Sequence, residues 1–295
     1  MKKTCLIIAG PTASGKTDLA IEIALRLNTE IISADSRQCY KEMNIGVAKP
    51  SAAQLAQVPH HFISSHSVRQ SVTAADFGEY ALTAIDKIFE SREVAVMTGG
   101  TGLYIKAFAD GLDPVPATDS AIREAISEAY AKNGIAWLQE EINKLDPLFA
   151  VKGEMNNPRR IMRALEVYRM TGKSILSFHD KSAAERPFRV IRLAIDRPRE
   201  ELYERINRRV DGMFSQGLKE EVASLIDFKD CQALQTVGYK EWWSYFDGEQ
   251  SLDETLDKIR QNTRQYAKRQ LTWFRHQGNF SFVEPDADSI LRLID

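Results

Sequence analysis

The sequence is poor in cysteine and has no long apolar run. Its three cysteines, Cys5, Cys39 and Cys231, are scattered, with no C-x-x-C or Cys/His cluster. That spacing argues against a zinc site and favours a reducing compartment. No apolar stretch approaches the length of a membrane span, and the first apolar run begins too close to the N-terminus to leave room for a signal peptide. We therefore expect a cytoplasmic protein that does not contact a membrane.

The sequence also lacks an excess of charge, repeats and low-complexity tracts. Its formal net charge is −2 over 295 residues, which by itself does not suggest a nucleic-acid partner. The charge is unevenly placed, however, because residues 159–209 are rich in arginine and residues 258–276 contain no Asp or Glu. In the second stretch Arg260, Arg264 and Lys268 recur every four residues and would share a helix face. Either stretch alone could be an ordinary solvated helix, but together they favour a localised anion-binding surface.

An octapeptide near the N-terminus fits the phosphate-loop pattern G-x-x-x-x-G-K-[ST]. It follows an apolar run at 5–9 and precedes an amphipathic stretch at 18–27, which is the strand–loop–helix context that the motif requires. Loop amides and the helix N-terminus favour phosphate, Lys16 adds a full charge, and Thr17 can hold Mg²⁺ directly or through water. The motif predicts a di- or triphosphate site and does not identify the compound. Its members are Gly10, Pro11, Thr12, Ala13, Ser14, Gly15, Lys16 and Thr17.

Further apolar runs at 30–34, 94–97 and 190–195 alternate with helical patterns such as 74–89. This alternation predicts an α/β fold with a P-loop NTPase-like parallel sheet. Between Asp119 and Ser177 the periodicity reads as one helix after another. We therefore predict three segments: a first part of the core at 1–112, a mostly helical insertion at 113–186, and the resumed core with C-terminal helices at 187–295.

In such sheets ligands bind at the carboxyl ends of the strands, where the P-loop, Asp35 and the turn at 99–102 would converge. Asp35 is the best-placed general base, although it could equally cap the following turn. The strand at 94–97 runs into Gly-Gly-Thr rather than the acidic residue of a Walker B strand. That difference weakens the interpretation as an ATP-consuming enzyme without removing it.

Several further motifs, in order along the chain, resemble those of the bacterial tRNA dimethylallyltransferase family. They lie at 35–40, 44–50, 59–61, 74–77, 99–104, 157–166, 238–241 and 263–275. Only the P-loop is shared widely with other families, so the resemblance is specific. One departure is Val47, where the family usually has threonine. The Cys/His zinc finger of eukaryotic relatives is also absent from this sequence.

The resemblance implies transfer of a dimethylallyl group from dimethylallyl diphosphate to N6 of adenosine 37, beside the tRNA anticodon. Asp35 is similar to the residue that accepts the N6 proton, and Thr12 and Arg209 look like contacts of the diphosphate leaving group, which Mg²⁺ accompanies. The insertion would clasp the anticodon stem-loop, and a monomer is expected. The positions that match tRNA-binding residues are Asp35, Ser36, Arg37, Gln38, Thr101, Gly102, Arg123, Arg159, Arg160, Ile161, Met162, Arg163, Gln235, Thr236, Val237, Gly238, Tyr239 and Lys240.

Three alternatives remain at this point. A small-metabolite P-loop kinase would turn over ATP with a small acceptor. A free-nucleotide (AMP) isopentenyltransferase would share the core, although it has no need of the insertion or of the basic stretch at 258–276. A non-catalytic RNA-binding module would have no need of Lys16, Thr17 and Asp35.

Overall fold

Six parallel strands form one sheet in the computed structural model, which describes residues 2–117, 119–179 and 184–294. The sheet order is β3-β2-β4-β1-β5-β6. The strands are β1 (Thr4–Ala9), β2 (Ile31–Ser33), β3 (His60–His61), β4 (Val94–Gly99), β5 (Arg189–Ile195) and β6 (Ser281–Val283). The predicted α/β class with a parallel sheet is confirmed.

Twelve α-helices accompany the strands in the described residues. They are α1 (Lys16–Arg26), α2 (Ala52–Gln57), α3 (Ala74–Phe89), α4 (Gly102–Ala109), α5 (Ser120–Leu145), α6 (Pro147–Lys152), α7 (Pro158–Thr171), α8 (Arg199–Ser215), α9 (Leu218–Ala223), α10 (Trp242–Phe246), α11 (Leu252–His276) and α12 (Ala287–Leu291). Within this part of the chain, none of these helices is both long and apolar enough to cross a membrane.

The centre of the sheet is buried on both faces. Leu6 and Ile8 of β1 pack in one hydrophobic cluster with α1 and α12, whereas Cys5 and Ile7 pack in another with α3 and α4. Because both faces are covered, β1 reads as an unbroken apolar run rather than as an alternation. The registers Ala9↔Gly99 and Ala9↔Ala194 bring the carboxyl ends of β1, β4 and β5 to the same edge.

The chain divides into two compact units, residues 1–110 with 185–295 and residues 111–184. The second unit is helical and has a hydrophobic core of its own, drawn from α5, α6 and α7. In α5 the backbone at Gly134 (φ 73°, ψ −170°) is not helical, so the helix kinks there. Residues 118 and 180–183 of the predicted insertion lie outside the described residues, and its role in binding RNA stays a prediction.

Two short strands, β3 and β6, were not predicted because two or three residues are too few to show a period. In β3, His61 Nε2 lies 2.6 Å from Glu30 Oε2, so this histidine is paired with a carboxylate beside the strand. Trp242 is fully buried.

The sequence predicts that Arg260, Arg264 and Lys268 form an anion-binding face on α11. This prediction is wrong for Arg260 and Arg264, which bind other groups of the protein. Arg260 forms ion pairs with Asp211 and Asp257, and its Nη2 lies 2.5 Å from Asp211 Oδ1. Arg264 donates to Asn207 Oδ1 at 2.9 Å. Asp211 and Asn207 lie in α8, so this face of α11 packs against a neighbouring helix, and Lys268 alone of the three is exposed.

We expect Gly99→Ala to lower the free energy of unfolding by about 1–3 kcal/mol or more. A Cβ at this position would lie 2.1 Å from the carbonyl oxygen of Ala34, and that oxygen belongs to backbone that cannot swing away. Gly212→Ala, within α8, is the matched control, because no atom lies within 4 Å of its added Cβ. The control should be stabilised by about 0.5–1 kcal/mol through helix propensity. Urea unfolding of both variants measures the difference, and an unchanged midpoint for Gly99→Ala would contradict the packing argument.

Candidate active site

The P-loop leads from β1 into the N-terminus of α1. Gly15 is the N-cap of α1 with φ 89°, a left-handed conformation that favours glycine, and no side chain caps the helix. The amides of the first helical turn have no partner within a helix, and the helix dipole adds partial positive charge. The local sequence therefore produces a helix end of the kind that favours anions, and phosphate binding there stays a prediction.

Two arginines from outside the motif hold the loop in shape. Arg197 Nε donates to the carbonyl oxygen of Ser14 and Arg205 Nε to that of Ala13, both at 2.7 Å. These two bonds fix the loop through the carbonyl oxygens of Ala13 and Ser14. Sequence reasoning had grouped these arginines with an anion-binding surface and missed their contacts with the loop.

A cavity of about 520 Å³ opens beside the loop. Its volume suits a small organic ligand. Polar and charged groups that line it come from the P-loop, from the segments after β2, and from α8 and α11. They include Thr12, Lys16, Thr17, Asp18, Asp35, Arg37, Gln38, Lys49, Arg205, Arg208, Arg209, Thr236, Tyr266 and Gln270. The structure thus brings the predicted phosphate loop, base and leaving-group residues to one cavity.

Cations dominate the phosphate end of the cavity. The pKa of Lys16 is lowered to about 8, mainly by burial and secondly by the nearby positive charge of Arg209, while Asp35 opposes the shift. Burial also lowers the pKa of Arg209, an effect that Asp35 offsets in part. Arg209 Nη1 donates to Thr12 Oγ1 at 3.2 Å, and Lys16 Nζ donates to the Pro11 carbonyl at 3.2 Å. A bound polyanion would relieve the repulsion among these partly desolvated cations.

Asp35 lies two residues after the end of β2, on the cavity wall. Its Oδ1 accepts the backbone N–H groups of Arg37 at 2.9 Å and Gln38 at 3.4 Å, so it does cap the following turn. Both of these bonds end on the same carboxylate oxygen, Oδ1. The turn therefore orients the carboxylate, and capping is compatible with a role for Oδ2 toward a ligand.

The opposite wall depends on Glu221, a residue that sequence reasoning missed. Its carboxylate accepts three successive backbone N–H groups, those of Asn44, Ile45 and Gly46, at 2.8–3.0 Å, and the hydroxyl of Tyr239 at 2.6 Å. The ring of Tyr239 lies over Gly46, where a Cβ would approach to 2.5 Å. Glu221 thereby joins two segments that supply cavity residues, 46–50 and 236–238.

Val47 occupies the position where the resembling family usually has threonine. Gln38 Nε2 donates to the carbonyl oxygens of Val47 at 3.3 Å and Ala48 at 3.1 Å. Because these acceptors belong to the main chain, the segment keeps both bonds whichever side chain stands at position 47.

The residues matched to tRNA binding fall in both compact units. Arg37, Gln38, Thr236, Val237 and Gly238 line the cavity together with Asp35, whereas Ser36, Thr101, Gly102, Gln235 and Lys240 are not among its lining residues. Arg123, Arg159, Arg160, Ile161, Met162 and Arg163 belong to the helical unit. There Arg123 and Arg160 pair with Glu166 and Glu154.

Two of these positions need a correction. Ile161 is 0% exposed in the core of the helical unit, and Tyr239 is 0% exposed between Gly46 and Glu221. A side chain with no accessible surface does not touch RNA directly in this structure. Each supports the neighbouring residues, and the prediction of direct contact is wrong for both.

The oxygen donors beside the P-loop fit a magnesium ion that is shared with a diphosphate. No group of three or more His, Cys, Asp or Glu side chains able to hold a metal occurs in the described part of the chain. Mg²⁺ does not require such a cluster, because it retains waters and binds phosphate oxygens with only one or two protein ligands. Thr17 and Asp18 present a hydroxyl and a carboxylate on the cavity wall.

Comparison with known proteins places this site in context. A family model described as IPP transferase matches residues 38–277, a range that begins after the P-loop. The tRNA dimethylallyltransferase of Christiangramia forsetii is 44% identical over 289 residues, covering 98% of this chain and 96% of that protein. The crystal structure of the full-length tRNA isopentenylpyrophosphate transferase of Bacillus halodurans is 37% identical, with a TM-score of 0.72, and covers 99% of this chain and 94% of that one. A structure of a eukaryotic dimethylallyltransferase acting on tRNA is 26% identical, with a TM-score of 0.79, and covers 97% and 75%.

We expect the affinity for inorganic diphosphate to weaken as Lys16 loses its proton. With a pKa of about 8 in the free protein, Lys16 is charged below that pH and neutral above it, so the dissociation constant should rise about tenfold between pH 7 and pH 9. Isothermal titration calorimetry across this range measures the effect. Lys16→Met is the control, since it removes the titrating group and leaves the ionisation of diphosphate itself. The same pH dependence in both proteins would contradict the assignment.

Proposed function

The chain belongs to the IPP transferase family, and on that premise we propose that it is a tRNA dimethylallyltransferase. It transfers a dimethylallyl group from dimethylallyl diphosphate to N6 of adenosine 37, next to the anticodon, and releases diphosphate. The observation that carries the proposal is a single cavity lined both by the P-loop and by Asp35.

The reaction is an alkyl transfer to nitrogen. A bond forms between N6 and C1 of the dimethylallyl group, and the bond between C1 and the bridging oxygen breaks. The electron pair leaves with the diphosphate, and Asp35 accepts the proton that N6 loses. Because the N6 lone pair is delocalised into the adenine ring, removal of this proton in the transition state assists the attack.

Charge that develops on the leaving group meets the cationic end of the cavity. Arg209 and the Thr12 hydroxyl, which already lie within hydrogen-bond distance of each other, would stabilise the bridging oxygen. Lys16 and the first-turn amides of α1 would bind the terminal phosphate. Mg²⁺, when bound through Thr17, would neutralise part of the diphosphate charge.

The acceptor is an adenine within an RNA loop. A base must leave its stack to enter a cavity of this kind, and a single-stranded loop yields such a base at small cost. We propose that the helical unit, with Arg159, Arg160 and Arg163 on α7, contributes phosphate contacts to the anticodon stem-loop. These contacts would supply affinity, while the cavity selects the base.

The alternatives make different products. A small-metabolite kinase would need an acceptor hydroxyl and ATP, and a free-nucleotide isopentenyltransferase would need neither the helical unit nor its arginines. The described helical unit, with its own core and an arginine-bearing helix, favours an RNA acceptor over a free nucleotide.

The test is incubation with dimethylallyl diphosphate, Mg²⁺ and unmodified tRNA, followed by mass spectrometry of the nucleosides. We expect N6-isopentenyladenosine and one diphosphate per transfer. A stem-loop in which the adenosine 3′ of the anticodon is replaced by guanosine should give no product, because it lacks the exocyclic amine at C6. Equal rates with free AMP and with the stem-loop would favour the free-nucleotide enzyme instead, and ATP-dependent phosphorylation would favour the kinase.

We expect Asp35→Asn to reduce single-turnover transfer by about 100- to 10,000-fold while tRNA affinity changes little. The amide oxygen can still accept the N–H groups of Arg37 and Gln38, so the turn is kept while the base is lost. Rapid-quench kinetics and filter binding measure the two effects separately. Asp253→Asn, an exposed change in the first turn of α11, is the matched control. If Asp35→Asn turns over within a few-fold of the rate of the unsubstituted protein, Asp35 is not the base.

A further inference from the structure

We propose that Gln270 is a positioning residue that holds the leaving-group end of the cavity in register with the acceptor end. The inference rests on the proposed function, which defines those two ends. Gln270 lies in the third quarter of α11 and is 6% exposed. Its side-chain amide bonds two different loops: Oε1 accepts the backbone N–H of Thr12 at 2.9 Å, and Nε2 donates to the carbonyl of Gly100 at 2.9 Å.

At the leaving-group end, Gln270 determines how Thr12 is presented. Because the backbone N–H of Thr12 points to Gln270, Thr12 would contact a ligand through its hydroxyl. That hydroxyl accepts from Arg209 Nη1 at 3.2 Å. The bond to Gln270 therefore orients the pair of groups that would stabilise the bridging oxygen. Without Gln270 the Thr12 N–H would lose its hydrogen-bond partner, and the loop would be free to turn.

At the acceptor end, the connection runs through Gly100 to its neighbour. Thr101 Oγ1 accepts the backbone N–H of Ser36 at 3.0 Å, and Ser36 directly follows Asp35. Tyr266, which precedes Gln270 by one helical turn, lies beside the Thr101 side chain. The i,i+4 pair Tyr266 and Gln270 thus places one face of α11 against both the P-loop and the segment that carries the base.

The fit around Gln270 is tight. A Cβ at Gly100 would lie 2.2 Å from Gln270 Nε2, so glycine at position 100 and glutamine at position 270 depend on each other. Gln270 is 258 positions from Thr12 and 170 positions from Gly100 in the chain. Both loops that it joins begin at the carboxyl end of a strand. Small errors in the placement of reacting groups are costly, and a shift of about 1 Å can reduce a rate about 100-fold. Loss of the two bonds made by Gln270 should therefore lower kcat more than it weakens the binding of either substrate.

The decisive variant is Gln270→Glu, which has nearly the same shape. While ionised, the introduced carboxylate can accept from Thr12 but repels the Gly100 carbonyl. Once protonated, it accepts with one oxygen and donates with the other, as the amide does. We expect kcat relative to the unmodified protein to be about 100-fold lower at pH 8 and to recover at least tenfold as the pH falls to 5.5. Gln261→Glu, an exposed change on the same helix, is the matched control and should keep a constant ratio.

Gln270→Met keeps the length of the side chain and removes both bonds. We expect its kcat to fall without recovery at low pH, while the KM values for dimethylallyl diphosphate and tRNA stay within about threefold. Thermal melting of each variant at each pH reports whether the protein is folded. If Gln270→Met retains kcat within threefold, or if both variants raise KM at unchanged kcat, the positioning role is overturned.

The role is equally overturned if neither variant folds, because Gln270 would then hold the fold rather than the site. If Gln270→Glu alone fails to fold, Gln270→Met decides by its kcat. Failure of the proposed function is a separate result: an unmodified protein that makes no prenylated tRNA removes the premise, whereas an active one with unaffected variants refutes only the role of Gln270.

Discussion

The site depends on the parallel register of β1 with its neighbours. Because β1 pairs with β4 and β5 over six residues, Ala9, Gly99 and Ala194 lie level with one another near the carboxyl ends of the three strands. The loops that follow β1 and β4 are then close enough to share a side chain, Gln270, and the Ala34 carbonyl beyond β2 approaches Gly99 so closely that no Cβ fits. A slip of one residue would displace the P-loop from the rest of the cavity and exchange the side chains of β1 between the two buried faces of the sheet.

Electrostatic balance is the second constraint. Lys16 and Arg209 lie together in a cavity where burial disfavours their charge, and Asp35 compensates only in part. Neighbouring arginines, Arg197 and Arg205, donate to carbonyl oxygens of the loop, and Arg197 also forms an ion pair with Glu201. Lys16 and Arg209 therefore keep positive charge that Asp35 offsets only in part. In the proposed reaction this charge would favour a bound diphosphate and stabilise negative charge that forms on it.

Arginines that look alike in the sequence do different things in the structure. The stretch at 159–209 includes helix α7 of the helical unit, with Arg159 and Arg160, and also the residues that support or face the P-loop, Arg197, Arg205 and Arg209. In α11, Arg260 and Arg264 bind groups on α8. Charge density along a chain therefore overestimates the surface that is open to RNA.

The sequence by itself determined the features that depend on neighbouring residues. The P-loop, the alternating strands and helices, and the position of Asp35 after β2 follow from patterns of about ten residues, since hydrophobic period, glycine placement and helix starts are local properties. The family motifs extend this reasoning to Thr12 and Arg209. Tertiary structure alone decided which distant side chains complete the site. Gln270, Tyr266 and Glu221 act on residues more than 160 positions away, and the burial of Ile161 and Tyr239 follows from packing that no local pattern encodes.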